Sequence, residues 1–292
     1  MILKDSYNRP VTNLRISVTP KCNLACVYCH REGEKEFTSP LSAEEIHEIL
    51  NVAAKFGIRS VKFTGGEPLL RPDLLEIIQA IPAGIESSIT TNGTLLAPIA
   101  QDLKRAGLRR VNVSIDSLSP VTYEKIAGIN RLDDVLTGID AALAAGLTPV
   151  KLNMVVLKGI NENEVDDFLA YVRNNRNLVL QLIELMNFNE CNNHEDLSGI
   201  EKVLASQSPQ IITRRMHHRK KYCLDGAEVE VVRPLHNTEF CAFCNRLRIT
   251  SDGKLKPCLL RTDNHIDIRG KKGAELEELF KKAVQLREPF YK

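Results

Sequence analysis

Between Asn13 and about Leu185 the chain alternates short apolar, β-branched runs with longer segments whose apolar residues recur at helical spacing. The short runs predict strands over 14–18, 60–63, 85–89, 110–114, 150–156 and 179–184. The segments between them predict helices over 43–55, 73–81, 95–106, 132–145 and 164–174, with a short further segment at 120–126. Ser42-Ala43-Glu44-Glu45 has the form of a capping box, and Gly57, Gly107 and Gly146 stand where helices should stop. Such alternation predicts an α/β fold, a parallel sheet of right-handed βαβ units. A doubly wound sheet and a full or partial barrel both satisfy it, and in either the loops after the strands carry the site.

After Glu184 the alternation stops, and the stretch to Ser198 is polar and rich in Asn. Ser198-Gly199-Ile200-Glu201 has the form of a second capping box, opening a helix to about 206. Asp225-Gly226 and Asp252-Gly253 predict hairpins, the first between 221–224 and 228–232, the second between 247–250 and 254–256. A last helix at about 274–286 has an apolar spacing that suits docking. The pattern therefore divides the chain into an α/β unit, 1–209, and a smaller α+β module, 210–292, packed onto it.

Polar residues collect where the predicted strands end. Cys22, Cys26 and Cys29 follow the first strand, Gly65-Gly66-Glu67-Pro68 the second, Thr90-Thr91-Asn92-Gly93 the third and Ser114-Ile115-Asp116 the fourth. Lys151 and Asn153 lie within the fifth, and Met186 follows the sixth. Turn or capping chemistry explains any one of these groups. It does not explain four of them on one rim beside three cysteines.

The spacing C-x3-C-x2-C lets three thiolates wrap one metal centre. A 4Fe-4S cluster takes four cysteines, so a triad leaves one iron open. Zinc lacks a nearby fourth ligand except His30, and a redox dithiol has no use for Cys22. A second triad, Cys241, Cys244 and Cys258, is brought together by the second hairpin; a zinc site completed by His236 or His265 is the competing reading. Arg246 and Arg248 share one face of a strand and can fork onto phosphate oxygens, against the plainer reading of a solvated pair. The basic run 214–221 is expected to be a solvated loop, with steering of a polyanion as the alternative. Cys191 and Cys223 have no partners in spacing and are read as incidental thiols.

Composition narrows the class only a little. With 43% hydrophobic and 26% charged residues and a net charge of +2, the chain looks globular and carries too little charge for a nucleic-acid binder. Anion binding must come from local arginines and lysines. No apolar run reaches membrane-spanning length, and the first ten residues lack the apolar stretch of a signal peptide, so a cytoplasmic location is expected. Eight cysteines there are expected to be metal ligands or buried thiols rather than disulfides.

The first triad, with Tyr28 before its last cysteine, resembles the signature of the radical S-adenosylmethionine (SAM) superfamily. Gly65-Gly66-Glu67-Pro68 resembles the superfamily motif that binds the amino group of SAM's methionine part. The second triad with Asn245-Arg246-Leu247-Arg248 is similar to the GTP 3′,8-cyclase family, which opens molybdenum cofactor biosynthesis. The resemblance implies an incomplete (β/α)6 TIM-like barrel, closed by a C-terminal module with a second 4Fe-4S cluster. It implies one cluster on Cys22, Cys26 and Cys29, with SAM on its open iron, and another on Cys241, Cys244 and Cys258, with guanine at its open iron. Tyr28, Gly66, Ser114 and Met186 would contact SAM; Arg15, Lys62, Thr90, Lys151, Arg246, Leu247 and Arg248 would contact GTP.

The implied reaction is that of a lyase. Reductive cleavage of SAM gives a 5′-deoxyadenosyl radical, which takes hydrogen from C3′ of GTP. The carbon radical closes onto C8, yielding 3′,8-cyclo-7,8-dihydro-GTP for a separate cyclic pyranopterin monophosphate synthase. The electron donor is unknown, and the family implies a homodimer or monomer. A radical SAM enzyme that modifies peptides or matures cofactors is the alternative, and a non-catalytic iron-sulfur or zinc scaffold is a third. Two departures from the family stand out. Lys62 occupies a position where many members carry arginine, and the sequence ends Arg287-Glu-Pro-Phe-Tyr-Lys292 where many end in a double glycine that reaches the active site.

Overall fold

The computed structural model describes residues 2–33, 39–173, 175–186, 192–235 and 237–290. Cys191, His236, part of the Asn-rich stretch and residues 291–292 lie outside them. The strands are β1 (Asn13–Ser17), β2 (Ser60–Thr64), β3 (Glu86–Thr91), β4 (Arg110–Ser114), β5 (Val150–Val156), β6 (Leu178–Glu184), β7 (Gln210–Thr213), β8 (Lys220–Leu224), β9 (Ala227–Val232), β10 (Arg246–Ile249), β11 (Lys254–Lys256) and β12 (Ile266–Asp267). The helices are α1 (Ala43–Lys55), α2 (Leu74–Gln79), α3 (Ala100–Arg105), α4 (Pro120–Ala127), α5 (Leu132–Ala144), α6 (Val165–Arg173), α7 (Ser198–Gln207), α8 (Thr238–Ala242) and α9 (Gly273–Gln285).

β1 to β6 lie side by side in sequence order, all parallel, as the βαβ pattern predicts. The later strands extend the same sheet at both ends. β10 pairs parallel with β1, and β9 pairs parallel with β6. Two hairpins, β8–β9 and β10–β11, turn at Asp225-Gly226 and Asp252-Gly253 as expected. Among the described residues no helix is long and apolar enough to cross a membrane.

Alternation along each strand sets the two faces. Leu14 and Ile16, Val61 and Phe63, Val111 and Val113, Leu152 and Met154, and Leu180 and Leu182 are fully buried against the helical layer. The residues between them, Arg15, Lys62, Asn112, Asn153 and Gln181, line one cavity together with Thr90, Arg246 and Arg248. Strands sit about 4.8 Å apart, so a flat sheet would spread β10 through β6 over roughly 29 Å. Their side chains reach a common cavity because the sheet curls around it.

The helices follow their sequence signals with two exceptions. At α1 both arms of the Ser42–Glu45 capping box form, and Ile46, Ile49, Leu50 and Ala53 are buried. α9 docks as its spacing predicts, with Phe280 stacked on Phe56 and Glu277 paired to Lys55. The helix expected over 95–106 is instead a 3-10 turn, Ala97–Ile99, followed by the shorter α3. Pro98 has no amide hydrogen and belongs in a first turn. The second capping box does not form. Asp196 takes both the amide and the hydroxyl of Ser198, while Glu201 turns to Tyr222 and Arg233.

Candidate functional site

The cysteine loop after β1 is pinned by its neighbours' backbones. Ala25 and Val27 donate to the carbonyls of Ala127 and Ile126 at the end of α4. On the other side Gly66 N–H donates to Thr19 O at 2.7 Å and Glu67 N–H to Lys21 O at 2.7 Å. This contact is why glycines stand after β2: a Cβ on Gly66 would lie 2.1 Å from Lys21 O, and one on Gly65 2.3 Å from Thr19 O. Glu67 is fully buried and accepts from Thr91 Oγ1 at 2.7 Å, Asn92 N at 2.7 Å and Leu69 N at 2.9 Å. Its carboxylate therefore ties the second and third rim loops together, although burial pushes its pKa up. Asn92 Nδ2 in turn lies 3.9 Å from Cys22 Sγ.

None of Cys22, Cys26 and Cys29 is in a disulfide, and Cys22 and Cys29 are exposed. Burial pushes the Cys26 thiol up, and nearby Cys29 and Cys22 add to it, so the three lie within electrostatic reach of one another. Among the described residues no three His, Cys, Asp or Glu side chains converge on a single ion. A 4Fe-4S cube makes a different demand, since each thiolate binds its own iron and the sulfurs must surround the cube. The donor set fits that group. Tyr28 donates to Asp116 Oδ2 at 2.6 Å, and Asp116 Oδ1 accepts from Val155 N at 2.8 Å, fastening the loop to β4 and β5. Burial raises the Asp116 pKa to about 6.

Beyond Tyr28 the cavity opens, about 380 Å³ in volume, within the range of small-ligand sites. Arg15, Lys62, Thr90, Lys151, Arg246 and Arg248 all line it, as do Tyr28, Met186 and the second triad, Cys241, Cys244 and Cys258. Gly66 and Ser114 lie on the rim outside its lining; Ser114 pairs in register with Asn153. Leu247, named with Arg246 and Arg248, turns the other way and is fully buried in the core, because alternate residues of a strand face opposite sides. Only its backbone remains for a ligand.

The wall is strongly cationic, with eleven arginine and lysine residues against two glutamates. Burial and the neighbouring Arg15, Arg246, Lys151 and Arg110 push Lys62 well below the usual lysine range. Two further carboxylates anchor the cations. Glu32 lies 3.4 Å from Arg15 Nη1 and 3.0 Å from Arg248 Nη1; these cations hold it at about 2 despite its burial. Glu230, fully buried, lies 2.6 Å from Lys151 Nζ and 2.8 Å from Arg214 Nη1.

The second triad has its own supports. Cys244 N–H donates to Cys241 O at 3.1 Å, the same turn that Cys29 and Cys26 make at 3.0 Å. Arg9 Nη1 donates to Cys241 O at 2.9 Å and Arg287 Nη2 to Cys244 O, while Asp5 pairs with Arg9 at 2.7 Å and Arg287 at 3.1 Å. Burial opposes ionisation of Cys244, but Arg287 and Arg246 outweigh it and hold the thiol below its ordinary pKa. His265, the described zinc-ligand candidate, has Nε2 3.0 Å from Arg261 O and does not line the cavity. Cys223 lies in β8, away from the lining.

The basic run departs from its reading as a solvated loop. Arg214, Met216, His217 and Arg219 line the cavity. His217 stacks on Phe240 with ring centroids 3.8 Å apart, and its backbone N–H donates to Phe243 O at 2.9 Å. Arg9, Arg287 and Glu230 were also missed in the sequence. Glu230 alone left a signal, a glutamate inside the apolar strand Ala-Glu-Val-Glu-Val-Val.

Residues 16–172 match the Radical SAM superfamily, and residues 178–292 match Molybdenum Cofactor Synthesis C. A Methanocella arvoryzae protein named "Probable GTP 3',8-cyclase" is 52% identical over 293 residues, covering 100% of this chain and 95% of its own. An Archaeoglobus fulgidus protein of the same name is 48% identical over 296 residues, covering 100% of each chain. Among solved structures, Streptococcus suis SuiB bound to precursor peptide SuiA superposes with a TM-score of 0.71 at 18% identity, over 94% of this chain and 66% of that one. Native anSMEcpe with bound AdoMet gives 0.65 at 18%, over 92% and 81%. The last two likenesses concern the fold; the sequence matches settle membership, and the chain belongs to the GTP 3′,8-cyclase family of the radical SAM superfamily.

Proposed function

We propose that the chain converts GTP to 3′,8-cyclo-7,8-dihydro-GTP for molybdenum cofactor biosynthesis, using SAM and two 4Fe-4S clusters. The observation that carries this reading is one cavity that joins a cationic wall to the second cysteine triad, with the first triad's Tyr28 at its edge. When bound, the first cluster and SAM supply a 5′-deoxyadenosyl radical for the C3′ hydrogen. Everything else falls to the chain. Cys22, Cys26 and Cys29 would hold that cluster, with Tyr28, Gly66, Ser114 and Met186 around SAM. Cys241, Cys244 and Cys258 would hold the second, beside the guanine.

Arg15, Lys62, Lys151, Arg246 and Arg248 would bind the triphosphate by charge-assisted hydrogen bonds, with Thr90 beside them. Enclosure by the curled sheet strengthens these contacts and keeps water from a reactive centre. In this reading β1 to β6 form an incomplete (β/α)6 barrel, residues 1–209, and residues 210–292 close it. The product would pass to a separate cyclic pyranopterin monophosphate synthase.

The test is anaerobic incubation of the cluster-loaded protein with SAM, GTP and a strong reductant. The expected result is 5′-deoxyadenosine together with a cyclised GTP derivative. Release of 5′-deoxyadenosine with GTP unchanged retains the superfamily chemistry and refutes the substrate. Cys22→Ala and Cys244→Ala should each halve the iron content, and only the first should abolish SAM cleavage.

A further inference from the structure

We infer that Arg214 and Arg219, held by the buried carboxylate of Glu230, form a second phosphate-binding wall for the triphosphate of GTP, reaching it from the opposite end of the curled sheet to Arg246 and Arg248. The inference rests on the GTP reading above and extends it to residues that no motif assigned.

Glu230 sits on β9 in register with Gln181 on β6, so both side chains face the cavity side of the sheet. Its carboxylate receives Lys151 Nζ at 2.6 Å, Gln181 Nε2 at 2.8 Å, Arg214 Nη1 at 2.8 Å and Arg219 Nη1 at 3.6 Å. Three cations thus cover one anion. A cluster built only for stability would balance its charges, because uncompensated buried charge is costly. Here the surplus of positive charge faces the cavity: Lys151, Arg214 and Arg219 line it and Glu230 does not.

Neither arginine is saturated. Arg219 Nε is buried without a hydrogen-bond partner, and the Arg214 side chain is 41% exposed. The loop carrying them, between β7 and β8, is fixed at its base by Arg214 N–H to Arg219 O at 2.9 Å. Its tip is fixed by His217 on Phe240 and Phe243. That anchorage brings Arg219 close enough to Arg15 and Arg246 for its charge to act on both. The two cationic ends of the sheet therefore share one field, which a polyanion can satisfy from both sides.

The experiment compares GTP, GDP, GMP and guanosine as ligands and substrates of the cluster-loaded protein, in the unaltered form and as Arg219→Ala, Arg219→Lys and Arg214→Ala. A charge-assisted hydrogen bond contributes about 1.5–3 kcal/mol, so Arg219→Ala should raise KM for GTP on the order of 10- to 100-fold while kcat at saturation changes little. The penalty should shrink with each phosphate removed and vanish for guanosine. Arg219→Lys keeps the charge but loses the fork and should recover part of the loss; it carries the test if the alanine variant fails to fold. An equal penalty for guanosine and GTP would mean that the loop only supports the fold, and no penalty for GTP would mean that Arg219 does not touch it. Either overturns the inference. An unaltered protein that binds no GTP overturns the substrate reading instead, and the two failures are separately visible.

Discussion

Asp116→Asn should stabilise the protein at pH 8 and leave it almost unchanged at pH 4. Asp116 is 7% exposed, and burial raises its carboxyl pKa from 3.8 to about 6. A raised carboxyl pKa means that the fold holds the proton more tightly than the unfolded chain does. Stability therefore falls as pH rises from about 4 to about 6 and stays low above that window. The shift of about two units corresponds to about 3 kcal/mol of opposed ionisation. Asparagine removes the charge and keeps both contacts, accepting from Val155 N–H with Oδ1 and donating to the Tyr28 oxygen with Nδ2. Rearrangement of the Tyr28 hydroxyl offsets part of the gain, at about 1 kcal/mol per hydrogen bond. Urea denaturation followed by circular dichroism, at pH values from 4 to 8 and under reducing conditions, gives the difference in free energy between the two proteins. It should open between pH 4 and 6 and level off near 2–3 kcal/mol. A difference that does not vary with pH, or a variant less stable at pH 8, would falsify the assignment of Asp116 as a strained carboxylate.

The remaining predictions concern the walls of the site. Gly66→Ala places a methyl against a backbone carbonyl that cannot give way cheaply, so the cysteine loop must shift. Iron uptake at the first triad should fall, and stability should drop by about 1–3 kcal/mol, measured by iron assay and melting. Arg287→Ala takes a donor from Cys244 O and a partner from Asp5. Breaking a buried pair costs about 3–5 kcal/mol, and the iron content should fall by half while SAM cleavage persists. Burial lowers the Lys151 pKa to about 8, with Glu230 holding it from falling further. KM for GTP should therefore rise as pH climbs through 8, and Lys151→Arg should flatten that rise; a flat profile in the unaltered protein removes Lys151 from phosphate binding.

The parallel strands were legible because each alternates or runs apolar between punctuating turns; β4 and β5 match their predicted bounds residue for residue. Asp-Gly fixed both hairpins for the same local reason. Most of what the sequence hid was a partner on another element of the fold. Charge density in the 214–221 run says nothing of Phe240 or of Glu230 on a neighbouring strand. The Ser198 box failed because Asp196, two residues earlier, competes for the same hydroxyl and amide. Leu247 is a different case. Period-two alternation already places it opposite Arg246 and Arg248, and only the family resemblance drew it into the site.

The grip of Asp5, Arg9 and Arg287 on the second cysteine turn bears on how the protein is made. The first cysteine turn is held by the carbonyls of Ile126 and Ala127, which are in place by residue 127, so a growing chain can form these contacts early. The second needs Arg9, made at the start, and Arg287, made 43 residues after Cys244. Domains fold progressively during synthesis, so under the two-cluster proposal iron loading would have a direction: the first triad would be ready while the ribosome is still working, and the second would be complete only after residue 287 has emerged. Stalled chains ending shortly after Cys258 should accordingly take up iron at the first site alone.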